Sequence, residues 1–210
     1  TWLTTNETIN LRAWADGTTN TPSTDPDGKK FTIQTTQTGD YVKELLYGAP
    51  TDYDYSTYNT SGIEIPLYHQ TARIVINISS DYTTVSSTIT GVTIGSDDNP
   101  VPTSGTFTAP TVGNTTGIWS NQEDGGVITA KKETTQVGAI ATYSAVVIPY
   151  DGTSGSNFYQ QGSRFVSVWA NGRKFFFKLG NDMNIEAGHQ YTMNLKLQYI
   201  VFNDCFSVSA

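Results

Sequence analysis

The stretch Ile63-Glu-Ile-Pro-Leu-Tyr-His-Gln-Thr-Ala-Arg-Ile-Val-Ile-Asn-Ile78 carries the clearest signal of fold class in this 210-residue chain. Its apolar residues alternate with polar ones, which is the period of a strand with one buried face. Ile63, Ile65 and Leu67 occupy odd positions before His69, and the apolar series at even positions after it is Ala72, Ile74, Ile76 and Ile78. A one-residue slip turns all following side chains to the opposite face, so we expect a bulge or kink near residues 68–71. Pro66 cannot donate a backbone hydrogen bond, which predicts an edge strand or the start of a strand there.

Two further stretches are equally regular. Residues 190–199 alternate apolar and polar side chains throughout, with Tyr191, Met193, Leu195, Leu197 and Tyr199 on one face. Residues 165–170 and 173–179 flank Asn171-Gly172, a pair that favours a type I′ hairpin turn. Other strands are predicted at residues 8–15, 31–35, 83–94, 127–131 and 139–148.

A single segment, residues 41–47, has apolar residues at helical spacing. Asp40 would cap one or two turns of helix there, and Gly48 would end them. Because alternation prevails everywhere else, the sequence predicts an all-β protein.

Composition supports many short strands joined by polar loops. Charged residues make up only 15% of the chain, below the ~25% usual for soluble domains. Residues 16–30 and 97–114 are rich in turn-forming and polar residues, as linkers are, and the second stretch surrounds one possible short strand at Thr106. The second stretch lies mid-chain, so we expect two domains, residues 1–103 and 104–210.

The charge balance excludes some partners. The net charge is −7, and the twelve Lys and Arg residues are spread along the chain. Nucleic acid is therefore disfavoured as a partner, since binding phosphates needs a basic patch; an anionic lipid surface is disfavoured for the same reason. Cys205 is the only cysteine, which excludes an intrachain disulfide.

Catalytic motifs are absent from the sequence. His69 and His189 have no Cys or paired acid nearby in sequence to make up a zinc site, and His69 is interpreted as a structural residue of its strand. There is no G-x-S-x-G nucleophile elbow, and Cys205 has no neighbouring histidine, so we interpret it as a thiol packed in a strand. We therefore expect no catalytic residues, no metal site and no cofactor.

Two acidic segments can each be interpreted in two ways. Asp25-Pro-Asp27-Gly28 and Asp97-Asp98-Asn99 could begin calcium loops, but neither continues with the further acidic ligands that such loops need. Both are also ordinary turn sequences, and we favour that interpretation.

A tyrosine cluster is the one candidate for ligand contact. Five tyrosines fall between positions 41 and 58, with Asp52 and Asp54 interleaved. Aromatic rings flanked by acids can stack on sugars, which makes Tyr53, Tyr55 and Tyr58 candidate glycan contacts. The alternative is that these rings pack over the ends of sheets with their hydroxyls in water.

Three blocks, in order, resemble the fimbrillin family, including its Mfa-like branch, which builds type V fimbriae of Bacteroidetes. The first is Tyr41-Val-Lys-Glu-Leu-Leu-Tyr-Gly48, similar to a D-L-L-Y-A segment. The second is residues 65–78, which resemble L-x-F-x-H-x-x-A-[RK]-[IV] through His69, Ala72 and Arg73. The third runs from Val147-Ile-Pro149 through the Asn171-Gly172 hairpin to Glu186-Ala-Gly-His-Gln-Tyr191. Upstream, Trp2 and Ile9-Asn-Leu-Arg-Ala-Trp14 resemble the family's Y-W-P and F-x-A-Y segments.

The resemblance implies two transthyretin-like β-sandwich domains in tandem, the first lacking its initial strands. It also implies export as a lipoprotein with an outer-membrane lipid anchor in the precursor only, and a place in a fimbrium at the cell surface. Other fimbrial subunits would be partners through strand exchange, with host or bacterial surface proteins or glycans as further partners. No enzyme activity is implied. Tyr150 departs from the glutamine usual after the V-P pair, and stalk, tip and anchor roles stay open. A surface lipoprotein that binds glycans is the alternative function.

Overall fold

A computed structural model describes residues 4, 6–17, 24–40, 42–49, 51–58, 62–80, 89–97, 99–150 and 159–197. Almost all regular structure in these residues is β, which confirms the predicted class. The strands are β1 (Thr8–Leu11), β2 (Trp14–Ala15), β3 (Lys29–Thr32), β4 (Leu46–Gly48), β5 (Thr51–Asp54), β6 (Leu67–His69), β7 (Ala72–Ser80), β8 (Ile89–Ile94), β9 (Pro102–Thr108), β10 (Ile118–Asp124), β11 (Ile128–Thr129), β12 (Lys131–Glu133), β13 (Ala141–Val147), β14 (Arg164–Ala170), β15 (Arg173–Lys178) and β16 (Gln190–Leu197); α1 (Tyr55–Tyr58) is a single helical turn. The predictions for Trp2, Tyr41, Asp98, Cys205 and residues 83–88 and 198–199 lie outside the described residues.

Two four-stranded sheets form a sandwich. The β7 sheet has the order β12-β13-β7-β16, and the β14 sheet has the order β11-β8-β14-β15. The isoleucines of β7 point to one face because side chains alternate along a strand, and there they meet the apolar residues of β13 and β16. Ile74, Ile76 and Ile78 are fully buried. The Tyr143 hydroxyl of β13 donates to the Ile89 carbonyl of β8, 3.3 Å away, and so joins the two sheets.

The alternating residues of β14 and β15 supply the opposite half of this core. Val166 and Val168 pair with Phe177 and Phe175 of β15, and these side chains face the core. Asn171 and Gly172 link the strands with φ values of 51° and 71°. Both values are positive, as a type I′ turn requires, so the predicted hairpin is confirmed.

The phase change near His69 marks a move between sheets. β6 belongs to the β4 sheet, of order β2-β4-β6, whereas β7 begins three residues later in the β7 sheet. Gln70 and Thr71 form the crossover and are both buried. Pro66 directly precedes β6, which is an edge strand, as predicted from its missing N–H.

A second crossover lies at Ala130, between β11 of the β14 sheet and β12 of the β7 sheet. The chain leaves the β7 sheet there, so Val146 of β13 lacks a main-chain partner on that side. The buried Gln37 amide takes its place: Nε2 donates to the Val146 carbonyl and Oε1 accepts from the Val146 N–H, both at 2.8 Å. A side-chain amide thereby continues the ladder of the strand.

The remaining strands form smaller sheets around a cluster of aromatic side chains. These are the β9 sheet, of order β10-β9-β3, the β4 sheet, and the ribbon β1-β5. Phe107 is fully buried, with ring centroids 5.5 Å from Tyr47 and 5.3 Å from Trp119. Phe31 meets Trp119 edge-on at 6.0 Å.

One sequence prediction is wrong here. The helix predicted at residues 41–47 is absent from its described part: residues 42–45 are irregular, and β4 follows. The possible short strand at Thr106 lies in β9, which is longer than expected and is the central strand of its sheet. Predicted strand limits also shift: 8–15 divides into β1 and β2, 127–131 divides at Ala130, and 31–35 begins earlier, at β3.

The expected division at residues 103 and 104 falls inside β9, which pairs with β3 and β10. The division into two tandem transthyretin-like domains stays a prediction.

Candidate functional site

The tyrosine cluster places its three candidate glycan contacts in different environments. Tyr53 is only 4% exposed, and its hydroxyl donates to the Glu64 carbonyl at 3.4 Å. Tyr58 packs edge-on against it, with the ring centroids 5.0 Å apart. Tyr55 and Tyr58, both in α1, are half-buried. The aromatic surface that a sugar could contact therefore lies on Tyr55 and Tyr58. Glycan contact by the three tyrosines stays a prediction.

The acidic segment at Asp25 and Asp27 is a turn that ties several strands together. The Asp25 carboxylate accepts from the Asp27 N–H at 3.0 Å and from the Tyr47 hydroxyl at 3.2 Å. Asp27 accepts from the Ala109 N–H at 2.8 Å and from Arg12 at 2.9 Å. These donors lie after β9 and between β1 and β2, so protein groups engage both carboxylates.

Replacing Asp27 with asparagine should lower the free energy of unfolding at pH 7 by about 1 kcal/mol, a modest amount because solvent screens a partly exposed carboxylate. The Ala109 N–H, with Arg12, holds the pKa of Asp27 below its ordinary value, against an opposing effect of burial. A lowered folded-state pKa means that the ionised group stabilises the fold above about pH 4, and that this contribution is lost as the pH falls through the folded value. The difference between the wild type and the variant should therefore shrink at about pH 3.

Urea unfolding at several pH values measures this effect. Asp97→Asn, at an exposed aspartate in another turn, is the matched control and should change stability by less than about 0.5 kcal/mol. A difference for Asp27→Asn that stays constant from neutral to acid pH would contradict the role of the ionised carboxylate.

The second acidic segment is also a turn. The Ser96 and Asn99 backbones exchange two hydrogen bonds, of 2.9 and 3.1 Å, across Asp97. Among the described residues, no cluster of three or more His, Cys, Asp or Glu side chains is placed to hold a metal ion.

The structure brings the two histidines to one cleft of about 480 Å³ between the crossover at Thr71 and the start of β16. His69 Nδ1 lies 3.0 Å from Glu44 Oε2, and His189 Nε2 lies 3.9 Å from Glu186 Oε2. His69 and Glu44 lie 25 residues apart, so the sequence alone did not predict this pair. Both imidazoles are more than half exposed, so they stand at the rim of an open cleft.

The floor of the cleft is the outward face of the β7 sheet. Arg73 binds Glu133 at 3.0 Å and Ser144 at 3.2 Å, and Ser144 donates to the same Glu133 oxygen at 2.5 Å. A second cavity, of about 360 Å³, shares Arg73, Glu133 and Gln190 and extends along the same face. Arg73 was visible in sequence as a polar residue in the alternation of β7. Only strand pairing could place Glu133 and Ser144 beside it.

One edge of this sheet is open in the described part of the chain. β16 pairs in parallel with β7 on one side, and no other described strand pairs with its opposite side. The Arg73 N–H donates to the His189 carbonyl at 3.0 Å. Since backbone groups alternate in direction along a strand, the N–H of Thr192 points to the open edge. The cleft and this edge together form the candidate functional site.

Comparisons with known proteins agree with this fold. The model of the fimbrillin-like family matches residues 1–205. No curated protein matches the chain. Among the described residues, no helix has the length and apolar character needed to cross a membrane.

Three solved structures illustrate the likeness, all of candidate cell adhesion proteins from Bacteroides. The protein from Bacteroides uniformis has a TM-score of 0.58 and 15% identity, over 91% of this chain and 68% of its own. The protein from Bacteroides ovatus has a TM-score of 0.57 and 17% identity, over 92% and 64%. The protein from Bacteroides thetaiotaomicron has a TM-score of 0.53 and 12% identity, over 92% and 67%. The chain thus spans about two thirds of the length of these proteins.

Proposed function

Because the chain belongs to the fimbrillin-like family, we propose that it is a fimbrial subunit or tip adhesin that assembles by strand exchange between subunits. Family membership supports a general role as a fimbrial or adhesion subunit at the cell surface. That assignment agrees with the sequence, in which no catalytic motif was found. An outer-membrane lipid anchor in the precursor belongs to the same proposal.

The open edge of β16 is the observation that carries strand exchange. An edge strand presents a row of backbone N–H and C=O groups that another strand can pair with. β16 is eight residues long, and its polar side chains face the same side as the cleft. A strand from a neighbouring subunit would add to this edge by β-augmentation. The sandwich behind it is already packed, so such an addition requires no change in the core.

Replacing Thr192 with proline should abolish assembly and leave the monomer folded. Proline removes the outward N–H of Thr192 and is tolerated where that N–H does not pair within the sheet. Thr192→Val, which keeps the N–H, is the matched control. Cells expressing each variant would be examined by electron microscopy with an antibody to the chain, and the purified variants by thermal unfolding.

The expected result is labelled filaments with the wild type and Thr192→Val, and none with Thr192→Pro. Equal assembly of the proline and valine variants would contradict the β16 edge as the acceptor. Absence of label on any filament in cells that express the wild type would overturn the fimbrial proposal itself.

A surface module that binds glycans is the second candidate. The partly exposed side chains of Tyr55 and Tyr58 favour it, since they offer an apolar surface next to the exposed acids Asp52 and Asp54. This site would use neutral or cationic sugars, because acids repel anionic ones.

A further inference from the structure

The hairpin of β14 and β15 concentrates positive charge in an acidic protein. Residues 164–178 contain four of the twelve Lys and Arg residues and no Asp or Glu, although the chain carries a net charge of −7. The four are Arg164, Arg173, Lys174 and Lys178. The hairpin is thus an exception to the even distribution of basic residues along the chain. This local excess of positive charge is visible in the sequence.

The side chains of β15 alternate between the core and solvent. Phe175 and Phe177 pack against the hydrophobic core. Lys174, Phe176 and Lys178 point the other way and are exposed. Phe176 is 47% exposed, a large apolar surface for a strand with two lysines beside it.

Cations and aromatic rings alternate on this outer face. Lys174 Nζ lies 4.6 Å from the centroid of the Trp169 ring and 4.9 Å from that of Phe176. Arg164 Cζ lies 4.8 Å from the centroid of the Phe176 ring on its other side. These separations are within the range of cation–π attraction. The order along the face is therefore Trp169, Lys174, Phe176, Arg164.

The space beside Trp169 is open. Trp169 pairs with Gly91 of β8, and paired residues share a face of the sheet. A methyl group placed on Gly91 would meet no atom of the described residues within 4 Å. Since Gly91 has no side chain, the sheet surface beside the indole is open. This open surface lies at the same end of the row as Lys174.

The charges on this face are available to a ligand. Within the described part of the chain, no carboxylate forms an ion pair with Arg164 or Lys174. The rings hold the two cations in place without neutralising them. An anion could therefore pair with both cations while the rings contact an apolar surface.

We propose that this outer face of the hairpin binds an acidic polysaccharide, through carboxylate or sulfate groups on Arg164 and Lys174 and sugar ring faces on Trp169 and Phe176. A sheet face with interleaved rings and cations suits a sugar chain, which presents apolar ring faces and anionic groups at regular spacing. Lysines alone could serve to protect an edge strand from aggregation. That role would not account for the exposed Phe176 between two cations.

The test uses the purified chain and four polymers: oligosaccharides of polygalacturonate, dextran sulfate, neutral dextran and polyglutamate. Calorimetry should show binding of polygalacturonate, of dextran sulfate, or of both, and the preference identifies the anionic group. Neutral dextran should not bind, and polyglutamate should bind at least about tenfold more weakly, since it has charges without sugar rings. Raising the salt concentration from about 50 to 300 mM should weaken binding because exposed charges are screened.

Variants locate the site. Arg164→Gln with Lys174→Gln should lower affinity about tenfold or more, and Phe176→Ser should lower it severalfold. Lys29→Gln with Lys132→Gln removes the same charge at exposed positions of β3 and β12 and should leave affinity unchanged. Thermal unfolding of each variant establishes that it is folded.

Three results would overturn the proposal: no binding of either anionic polysaccharide, equal binding of polyglutamate, or equal loss in the Lys29 and Lys132 variant. Binding of neutral dextran that is lost in Tyr55→Ala with Tyr58→Ala, but not in the hairpin variants, would place the site at the tyrosine cluster instead. The biological meaning of the site rests on the proposed role in adhesion. The binding assay needs no filaments, so its failure is distinguishable from a failure of assembly.

Discussion

Gln70→Leu should lower the free energy of unfolding by about 2–4 kcal/mol, a large effect for a single substitution. The Gln70 side chain is fully buried at the crossover between β6 and β7. Its Nε2 donates to the carbonyls of Tyr68 and Thr115, at 3.1 and 2.9 Å, and its Oε1 accepts from the Gly117 N–H at 2.8 Å. Leucine has a similar size but cannot replace these bonds, so three partly buried backbone groups lose their partner. A buried group left without a partner costs about 1–3 kcal/mol, and contact with water keeps each cost near the lower end of that range.

The loss should extend to the neighbouring aromatic cluster. The Gln70 carbonyl accepts from the Trp119 indole N–H at 2.7 Å, and the Gln70 N–H donates to the Leu45 carbonyl at 2.8 Å. A shift of the crossover would disturb both contacts, and tryptophan fluorescence should report it.

Equilibrium unfolding in urea measures the effect, with Gln160→Leu at an exposed position as the matched control. The control should change stability by less than about 0.5 kcal/mol. Equal values for the two variants would show that the Gln70 network contributes nothing measurable.

Gly95→Ala should lower the free energy of unfolding by about 3 kcal/mol or more, for two separate reasons. Gly95 follows β8 with φ of +87°, a region that costs alanine about 1–2 kcal/mol. A Cβ there would also lie 2.5 Å from the Gly126 carbonyl oxygen and 3.0 Å from Val101 Cγ2. The first of these atoms belongs to the backbone, so relief requires a main-chain shift.

Two control variants, at other glycines, separate the cost of the positive φ from the cost of steric overlap. Gly126 has φ of +84° but open space around its Cβ position, so Gly126→Ala should show the conformational cost alone. Gly180 has open space and its φ is not positive, so Gly180→Ala should be close to neutral. Thermal or urea unfolding of the three variants should rank Gly95 first, Gly126 second and Gly180 last. Equal costs at Gly95 and Gly126 would remove steric overlap as a cause.

The failed helix prediction at residues 41–47 has a tertiary cause. A helix of one or two turns is marginal by itself. Leu45, 1% exposed, is instead in the core, and β4 gains main-chain partners on both sides from β2 and β6. Hydrogen bonds from two neighbours and burial of Leu45 outweigh a weak local preference. None of these partners is visible within the segment itself.

The length of β9, within the linker-like stretch at residues 97–114, also has a tertiary cause. Pro102 is the first residue of β9, a position that needs no donated bond. Gly105 is a typical loop residue by its type, yet a Cβ there would lie 3.2 Å from the Trp119 ring and from Gln122. Small residues in β9 make room for a tryptophan from the next strand, so local composition indicated a shorter strand than the one that forms.

The candidate sites depend in different degrees on tertiary structure. Tyr53 is a candidate ligand contact by its neighbours in sequence, and only the structure shows that its side chain is 4% exposed; glycan contact there stays a prediction. The cationic row on the hairpin was within reach of the sequence, because β15 alternates Lys, Phe and Lys and the segment has no acid. The placement of Arg164 over Phe176 required the paired strands.

Local alternation and one turn dipeptide were enough to specify the all-β class, the strands β7 and β16, the Asn171-Gly172 hairpin and the phase change after His69. These features depend on the side-chain period of a strand and on the conformations of a few turn residues, which act within a short segment. The sheet that each strand joins, the role of Gln70 and Gln37 as partners of the main chain, and the meeting of His69 with Glu44 depend on residues far apart in sequence. Hydrogen bonds and packing between such residues exist only after the chain has folded, so no single segment encodes them.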